Sequence, residues 1–208
     1  KGRLCLDALS FSELPPEKPY DGVPVASASS SLPSRGPERA VDSDPATSWE
    51  SDPAADGPQW LLLDFGERRE YGGLVIDWDG DAFARRFEAQ VSEDGESWET
   101  ARAVLRGGGG RQYLDLPEAE SRYLRLALEE GGGGRGFRLR EIVVKPLAFS
   151  ASPNAFIEAV ARDAPRGSYP RSFSGEQSYW TVVGVDGGGD PGLLGEDGAL
   201  EVGRGAFS

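Results

Sequence analysis

Asp42, Asp44 and Thr47 place two carboxylates and a hydroxyl in one short loop, Ala-Val-Asp-Ser-Asp-Pro-Ala-Thr-Ser-Trp at positions 40–49, with Trp49 and Trp60 beside it as aromatic anchors. Oxygen donors on a bent backbone suit a hard divalent cation, since Ca²⁺ takes roughly six to eight oxygens from carboxylates, carbonyls and water. Glu141 adds an independent argument. It has the strand parity of Phe137, Leu139 and Val143, so regular pleating turns it toward the apolar side. A carboxylate there needs a partner, and a cation shared with the loop supplies one. The expected metal ligands are Ala40 (through its carbonyl), Asp42, Asp44, Thr47 and Glu141. In the competing arrangement Asp42 and Asp44 close Asx turns and Glu141 pairs with an arginine such as Arg39. The number of hard oxygens favours the ion, which would be structural and needs no open catalytic position.

Sugar recognition is the second chemistry the chain could carry. It stacks an aromatic face on a pyranose and adds a few polar anchors. Trp78 ends a strand beside Asp77, Asp79 and Asp81 and could edge such a surface, although its parity with Leu74 and Ile76 points to the core. The loops at 51–58 and 106–111 contain no aromatic residue, so no deep lectin pocket is expected. The candidate ligand contacts are Asp52, Asp56, Trp78, Asp79, Phe83, Arg135 and Phe137. Glycoside cleavage needs a positioned carboxylate pair. With 35 acidic residues many pairs arise by chance, and none sits on a recognisable motif, so no catalytic residue is expected.

Composition excludes further classes. The chain has no His, which removes Ser-His-Asp triads, Cys-His pairs and His-containing zinc sites. Cys5 is the single cysteine and forms no internal disulfide. Net charge is −13, from 22 basic and 35 acidic residues, so nucleic acid and anionic membrane are unfavoured partners. Arg135, Arg138 and Arg140 are the nearest approach to a basic patch. The absence of Met predicts a fragment or processed piece of a larger product.

The elements that must position these residues read mostly as strands. Phe87, Ala89 and Val91 alternate with Glu88 and Gln90; Leu74, Ile76 and Trp78 share one face, and Leu124, Leu126 and Leu128 another. An Asp94-Gly95 turn precedes the next strand. The glycine runs at 107–110 and 131–134 read as flexible loops, not phosphate cradles. Many short strands with glycine turns predict an antiparallel sandwich or jelly roll. Ser152 and Pro153 open a helix whose face carries Phe156, Ile157, Val160 and Ala164, and Pro165 ends it. Residues 3–11 read as a strand followed by a Pro-rich linker, and 168–208 as the opening of another module.

Residues 23–147 resemble the discoidin family, the C-type domain of coagulation factors V and VIII. The resemblance is carried, in order, by Val25-Ala-Ser-Ala-Ser-Ser-Ser, Glu38-Arg-Ala-Val-Asp-Ser-Asp-Pro-Ala-Thr-Ser-Trp49, Gln59-Trp-Leu-Leu-Leu-Asp-Phe-Gly66, Val91-Ser-Glu-Asp-Gly-Glu-Ser-Trp98, Arg122-Tyr-Leu-Arg-Leu and Leu139-Arg-Glu-Ile-Val-Val144. Ser43 stands where the family commonly has Gly. The likeness implies an eight-stranded jelly roll, core positions for Trp49, Trp60 and Trp98, a structural Ca²⁺ at the acidic loop with a late Glu as ligand, and glycan binding by loops at one end. Bacterial relatives are mostly carbohydrate-binding modules of secreted glycosidases, and the tail at 175–202 looks like the entry to the catalytic region of such enzymes.

The expectation is therefore an all-β, discoidin-type, galactose-binding-like antiparallel jelly-roll sandwich with a short C-terminal helix. Residues 1–22 would end a preceding module or form an edge strand with its linker. Residues 23–148 would be the discoidin domain, and 149–208 a linker helix and the start of a following module. The function expected is non-catalytic binding of a neutral glycan, with structural Ca²⁺, beside neighbouring modules of one secreted (extracellular or periplasmic) bacterial glycoside hydrolase. The alternative is a spacer that packs on the catalytic module and binds no glycan.

Overall fold

Apolar residues at every second position, Leu61, Leu63 and Phe65 in one segment and Leu124, Leu126 and Leu128 in another, are all buried, while their neighbours are less so. That period of two makes strands with one face in the core. The computed structural model describes residues 22–132, 136–165 and 170–174. The expected strand at 3–11, Arg135 and most of the tail lie outside them.

Among the described residues eight strands are formed: β1 (Val25–Ala28), β2 (Trp49–Glu50), β3 (Gln59–Trp78), β4 (Ala84–Ser92), β5 (Glu99–Val104), β6 (Arg111–Gly131), β7 (Arg138–Lys145) and β8 (Arg171–Phe173). An α-helix, α1 (Pro153–Asp163), follows β7. The hydrogen-bonded order is β2-β7-β3-β6-β4-β5, with β1 added to β3 and β8 to β6. All pairings are antiparallel except β6 with β8. The expected antiparallel discoidin-like sandwich is what the chain forms.

β3 and β6, of 20 and 21 residues, serve both layers. The β3–β6 register shifts between Asp64 and Arg69. There Gly66 takes φ 77° and donates its amide to Asp64 Oδ1 at 2.8 Å, a left-handed turn that glycine adopts without strain. The first half of β3 pairs with β1 and β6; the second half pairs with β7 and the opening of β6. Between the layers Trp49, Leu63, Tyr71, Ile76, Trp78, Phe87 and Leu124 are all but fully buried, each contributing roughly 1.5–3 kcal/mol.

The parity expected for β7 does not hold. Asp77 faces Glu141 and Trp78 faces Leu139, so Arg140 is an extra, bulged residue. Beyond it Ile142 is buried and Val143 is 40% exposed. Glu141 is therefore aimed by a bulge and not by regular pleating.

The outer face of the second layer carries Val75 and Tyr113, and α1 covers it with Phe156 and Val160, helped by Phe149. Ser152 caps the helix by accepting the Ala155 amide at 3.1 Å. Ile157 does not join the packed face and is 64% exposed. The segment expected to be a linker helix is seated on the sheet. The glycine loops are also less slack than expected. A Cβ at Gly132 would collide with the Phe83 ring at 2.3 Å, and one at Gly109 would lie 2.9 Å from the Gly80 carbonyl. Both glycines make room for the Gly80–Phe83 segment that links β3 to β4.

Candidate functional site

The acidic loop follows a short 3-10 turn, Pro37–Ala40, and is shaped by its own side chains. Asp42 Oδ1 accepts the Asp44 amide at 2.9 Å, and Asp44 Oδ1 accepts the Ala46 amide at 2.9 Å. These are Asx turns. Thr47 Oγ1 donates to Asp42 Oδ2 at 2.8 Å and lies 3.2 Å from the Asp44 carbonyl and 3.4 Å from the Arg39 carbonyl. Ser43 has φ 60°, the left-handed conformation that explains glycine at this position in the family.

Glu141 reaches the loop from β7, its Oε2 accepting the Ser43 amide at 3.0 Å. Burial pushes its carboxyl up to about 7; nearby Asp42 and Asp77 push the same way, and the Ser43 amide opposes them. No ion pair among the described residues joins it to Arg39. Among those residues no three His, Cys, Asp or Glu side chains converge as a metal cluster. The donor set is mixed: Asp42 and Glu141 carboxylates, the Thr47 hydroxyl and main-chain carbonyls. That set fits a hard cation such as Ca²⁺, and burial is the main reason the Glu141 carboxyl is raised there. Ala40 is wholly buried, leaving only its main chain to contribute.

Of the expected sugar contacts, Trp78 and Phe137 are corrected to core. Trp78 is 1% exposed and packs edge-on to Phe87 at 5.8 Å; Phe137 is 6% exposed. Trp78 is turned inward by its pairing with Leu139, and Phe137 by main-chain bonds to Ser51 just before β7, which removes both rings from any ligand. Asp79 is half-buried and accepts from Arg140 at 2.6 Å. It belongs to a chain of alternating charges, Arg35–Glu50–Arg138–Asp79–Arg140–Asp77–Arg111–Asp163, whose links span 2.6–3.7 Å. Arg138 and Arg140 are thereby neutralised and form no basic patch. Phe83 is half-buried, Asp52 half-buried and Asp56 exposed.

Sequence reasoning missed a polar shelf at this same loop end. Ser29 and Ser30 both donate to Gln59 Oε1, at 3.0 and 2.5 Å, and the Asp52 amide donates to Ser30 Oγ at 3.0 Å. Ser51 Oγ accepts the Phe137 amide at 2.9 Å, and Asp52 Oδ1 accepts the Ala54 amide at 2.8 Å. The serines at 27 and 29–31 were the available signal, and they read equally well as plain strand. Trp60 and Trp98 are only half-buried, unlike Trp49. Trp60 lies on the outward parity of β3, between buried Leu61 and the loop, and Trp98 stacks under the Arg125 guanidinium at 3.9 Å.

Comparison with known proteins places this architecture. The sequence profile of the F5/8 type C domain matches residues 25–142. Chitosan-binding module 1 of the chitosanase/glucanase from Paenibacillus sp. IK-5 superposes with a TM-score of 0.56 and 26% identity, over 62% of this chain and 98% of that one. The family 32 carbohydrate-binding module of C. perfringens NanJ, solved with galactose, has a TM-score of 0.52 and 17% identity over 58% and 91% of the two chains, a likeness of fold. Among curated proteins, the polysaccharide lyase 8 family protein HylA of Enterococcus faecalis is 33% identical over 91 residues. Those residues are 42% of this chain and 6% of the lyase. The domain thus resembles non-catalytic carbohydrate-binding modules.

Proposed function

The chain belongs to the F5/8 type C domain family, and from that premise we propose that it is a carbohydrate-binding module whose glycan site is the loop end of the sandwich. The observation that carries this reading is the shelf of Ser29, Ser30, Gln59 and Asp52. The Ser29 and Ser30 hydroxyls are held on the Gln59 side-chain carbonyl, the Asp52 main-chain amide donates to Ser30, and the Asp52 carboxylate is fixed separately by the Ala54 amide. Preset polar groups on a shallow surface complement the vicinal hydroxyls of a neutral sugar. Asp52 and Asp56 would anchor hydroxyls, and half-buried Phe83 would offer an apolar edge. Affinity at so shallow a site would come mainly from tethering to neighbouring modules. The identity to a chitosan-binding module and to a polysaccharide lyase supports this reading.

Ca²⁺ would be held by Asp42, Thr47, Glu141 and carbonyls of the loop, Ala40 and Asp44 adding oxygens. Bound there, it would neutralise the paired carboxylates and pin the loop to β7. A secreted glycoside hydrolase or lyase is the parent this reading implies. No described helix is long and apolar enough to cross a membrane.

A glycan array, run in calcium with the full chain and its Asp52→Ala and Asp56→Ala variants, tests the proposal. Binding to a defined sugar class, weakened in the variants, is the expected result. A blank array, repeated with polysaccharides, would leave the spacer reading in its place.

A further inference from the structure

The strands carry the chain from the loop end at Gln59 to a second end, where register brings Asp64, Tyr123 and Ser92 side by side. There the β4–β5 turn stands over a groove of about 330 Å³ walled by Ser92, Glu93, Asp94, Trp98, Glu99 and Glu120. Its size is at the lower end for small-ligand sites, roughly 300–1,000 Å³.

Trp98 is clamped from the sheet side. The Arg125 guanidinium lies 3.9 Å from its ring centroid and donates to Gln90 Oε1 at 3.0 and 2.6 Å. Gln90 donates in turn to Glu88 at 2.7 Å, which also accepts the Thr100 hydroxyl at 2.7 Å. Trp98 lines the groove and Arg125 does not. A ring fixed in advance loses little side-chain freedom when a ligand stacks on it.

The electrostatics of the walls select the ligand's charge. Arg68 bridges Glu93 and Glu120 at 3.1 and 3.4 Å. Asp94 is held down to about 2 by the amides of Ser97 and Glu96 and the Ser92 hydroxyl. Glu99 has no ion pair among the described residues. Two guanidiniums, Arg68 between Glu93 and Glu120 and Arg125 over the Trp98 ring, thus stand against four carboxylates, in a chain of net charge −13. An aromatic ring beside carboxylates suits an ammonium, which binds the ring face and donates to the acids.

We propose that this groove binds an amino sugar, with its pyranose stacked on Trp98 and its ammonium directed to the carboxylates of Asp94 and Glu99. This second site goes beyond the loop-end reading and is tested separately from it.

Titrating the ¹⁵N-labelled full chain with a glucosamine trimer and with its N-acetylated counterpart reads out the position of binding. Amide shifts at 92–99 and 120–121 are expected, with affinity about tenfold lower for the acetylated trimer and falling with added salt. Trp98→Ala should abolish the shifts and Trp98→Tyr keep them, which separates loss of the ring from loss of the fold. Equal affinity for the two trimers, or persistence of the shifts in Trp98→Ala, overturns the proposal. Shifts confined to 29–31 and 52–59 also overturn it while leaving the loop-end reading intact. No shift anywhere overturns it too, and the array then judges the loop end by itself.

Discussion

Glu141 Oε2 accepts the Ser43 amide at 3.0 Å, joining residues 98 positions apart through a bulge in β7 and a left-handed residue in the acidic loop. Each half of this contact is locally unfavourable: an acid raised to about 7 and a serine at φ 60°. Their pairing makes sense if something draws the loop and β7 together, and a cation is the economical candidate.

Removing calcium should therefore destabilise the protein. A ligand at a hundred times its dissociation constant stabilises the native state by about 2.7 kcal/mol, and a domain of this size loses roughly 2–4 °C per kcal/mol. Thermal melts before and after chelation should differ by several degrees, and added Ca²⁺ should reverse the change. An unchanged melt, in protein shown by elemental analysis to have contained calcium, would sink the ion.

Without calcium, Glu141 sets a pH dependence. Its carboxyl rises from 4.5 to about 7 on folding, so the folded state holds the proton more tightly. Its contribution to stability is full below the unfolded value and is lost as pH rises through about 7. In chelator, the melting temperature should fall across that window, and Glu141→Gln should flatten the slope. An identical slope in the variant would assign it to other groups.

Ser43→Gly should stabilise the chain. A left-handed residue with a Cβ costs roughly 1–2 kcal/mol, partly offset by the greater freedom of glycine in the unfolded chain. The net expectation is a gain of about 0.5 kcal/mol in urea unfolding. Since the main-chain amide is retained, the bond to Glu141 survives. A loss of stability would show that the serine hydroxyl does something the φ angle does not reveal.

How far the chain could be read follows from what each signal depends on. Inward alternation at Leu61, Leu63, Leu124 and Leu126 was legible because a two-residue period is a local property. The β7 bulge at Arg140 was not, since bulges come from register with a partner strand, and it turned Val143 away from the apolar face expected for it. The oxygen-rich loop and Glu141 were legible as partners despite that error, because the acid's lack of a local partner remained. Trp98 was misread as core because its burial depends on Arg125, a residue from another strand that meets it only after folding. The serine-glutamine shelf escaped for the same reason: Ser29, Ser30 and Gln59 become neighbours through the β1–β3 pairing.

Helix α1 was foreseen from Ser152 and Pro153, but its role was not, and Phe156 tests that role. The ring is 2% exposed and meets Phe149 edge-on at 5.4 Å over Val75 and Tyr113. Space for this contact comes from Gly73, where a Cβ would stand 2.4 Å from the Phe149 ring, and Ser150 adds a hydroxyl bond to the Gly72 carbonyl. Arg111 ties the helix end to the sheet through Asp163 at 3.4 Å and Asp77 at 3.7 Å. Truncating a buried Phe costs about 3–5 kcal/mol, whereas exposed positions change stability by about 0.5 kcal/mol or less. Phe156→Ala should thus lower the urea midpoint of the whole domain by an amount worth about 3 kcal/mol, and Ile157→Ala should leave it in place. If both variants unfold like the parent, the helix is only resting on the sheet; if Phe156→Ala unfolds early in one transition, α1 belongs to the same cooperative unit as the sheet it covers.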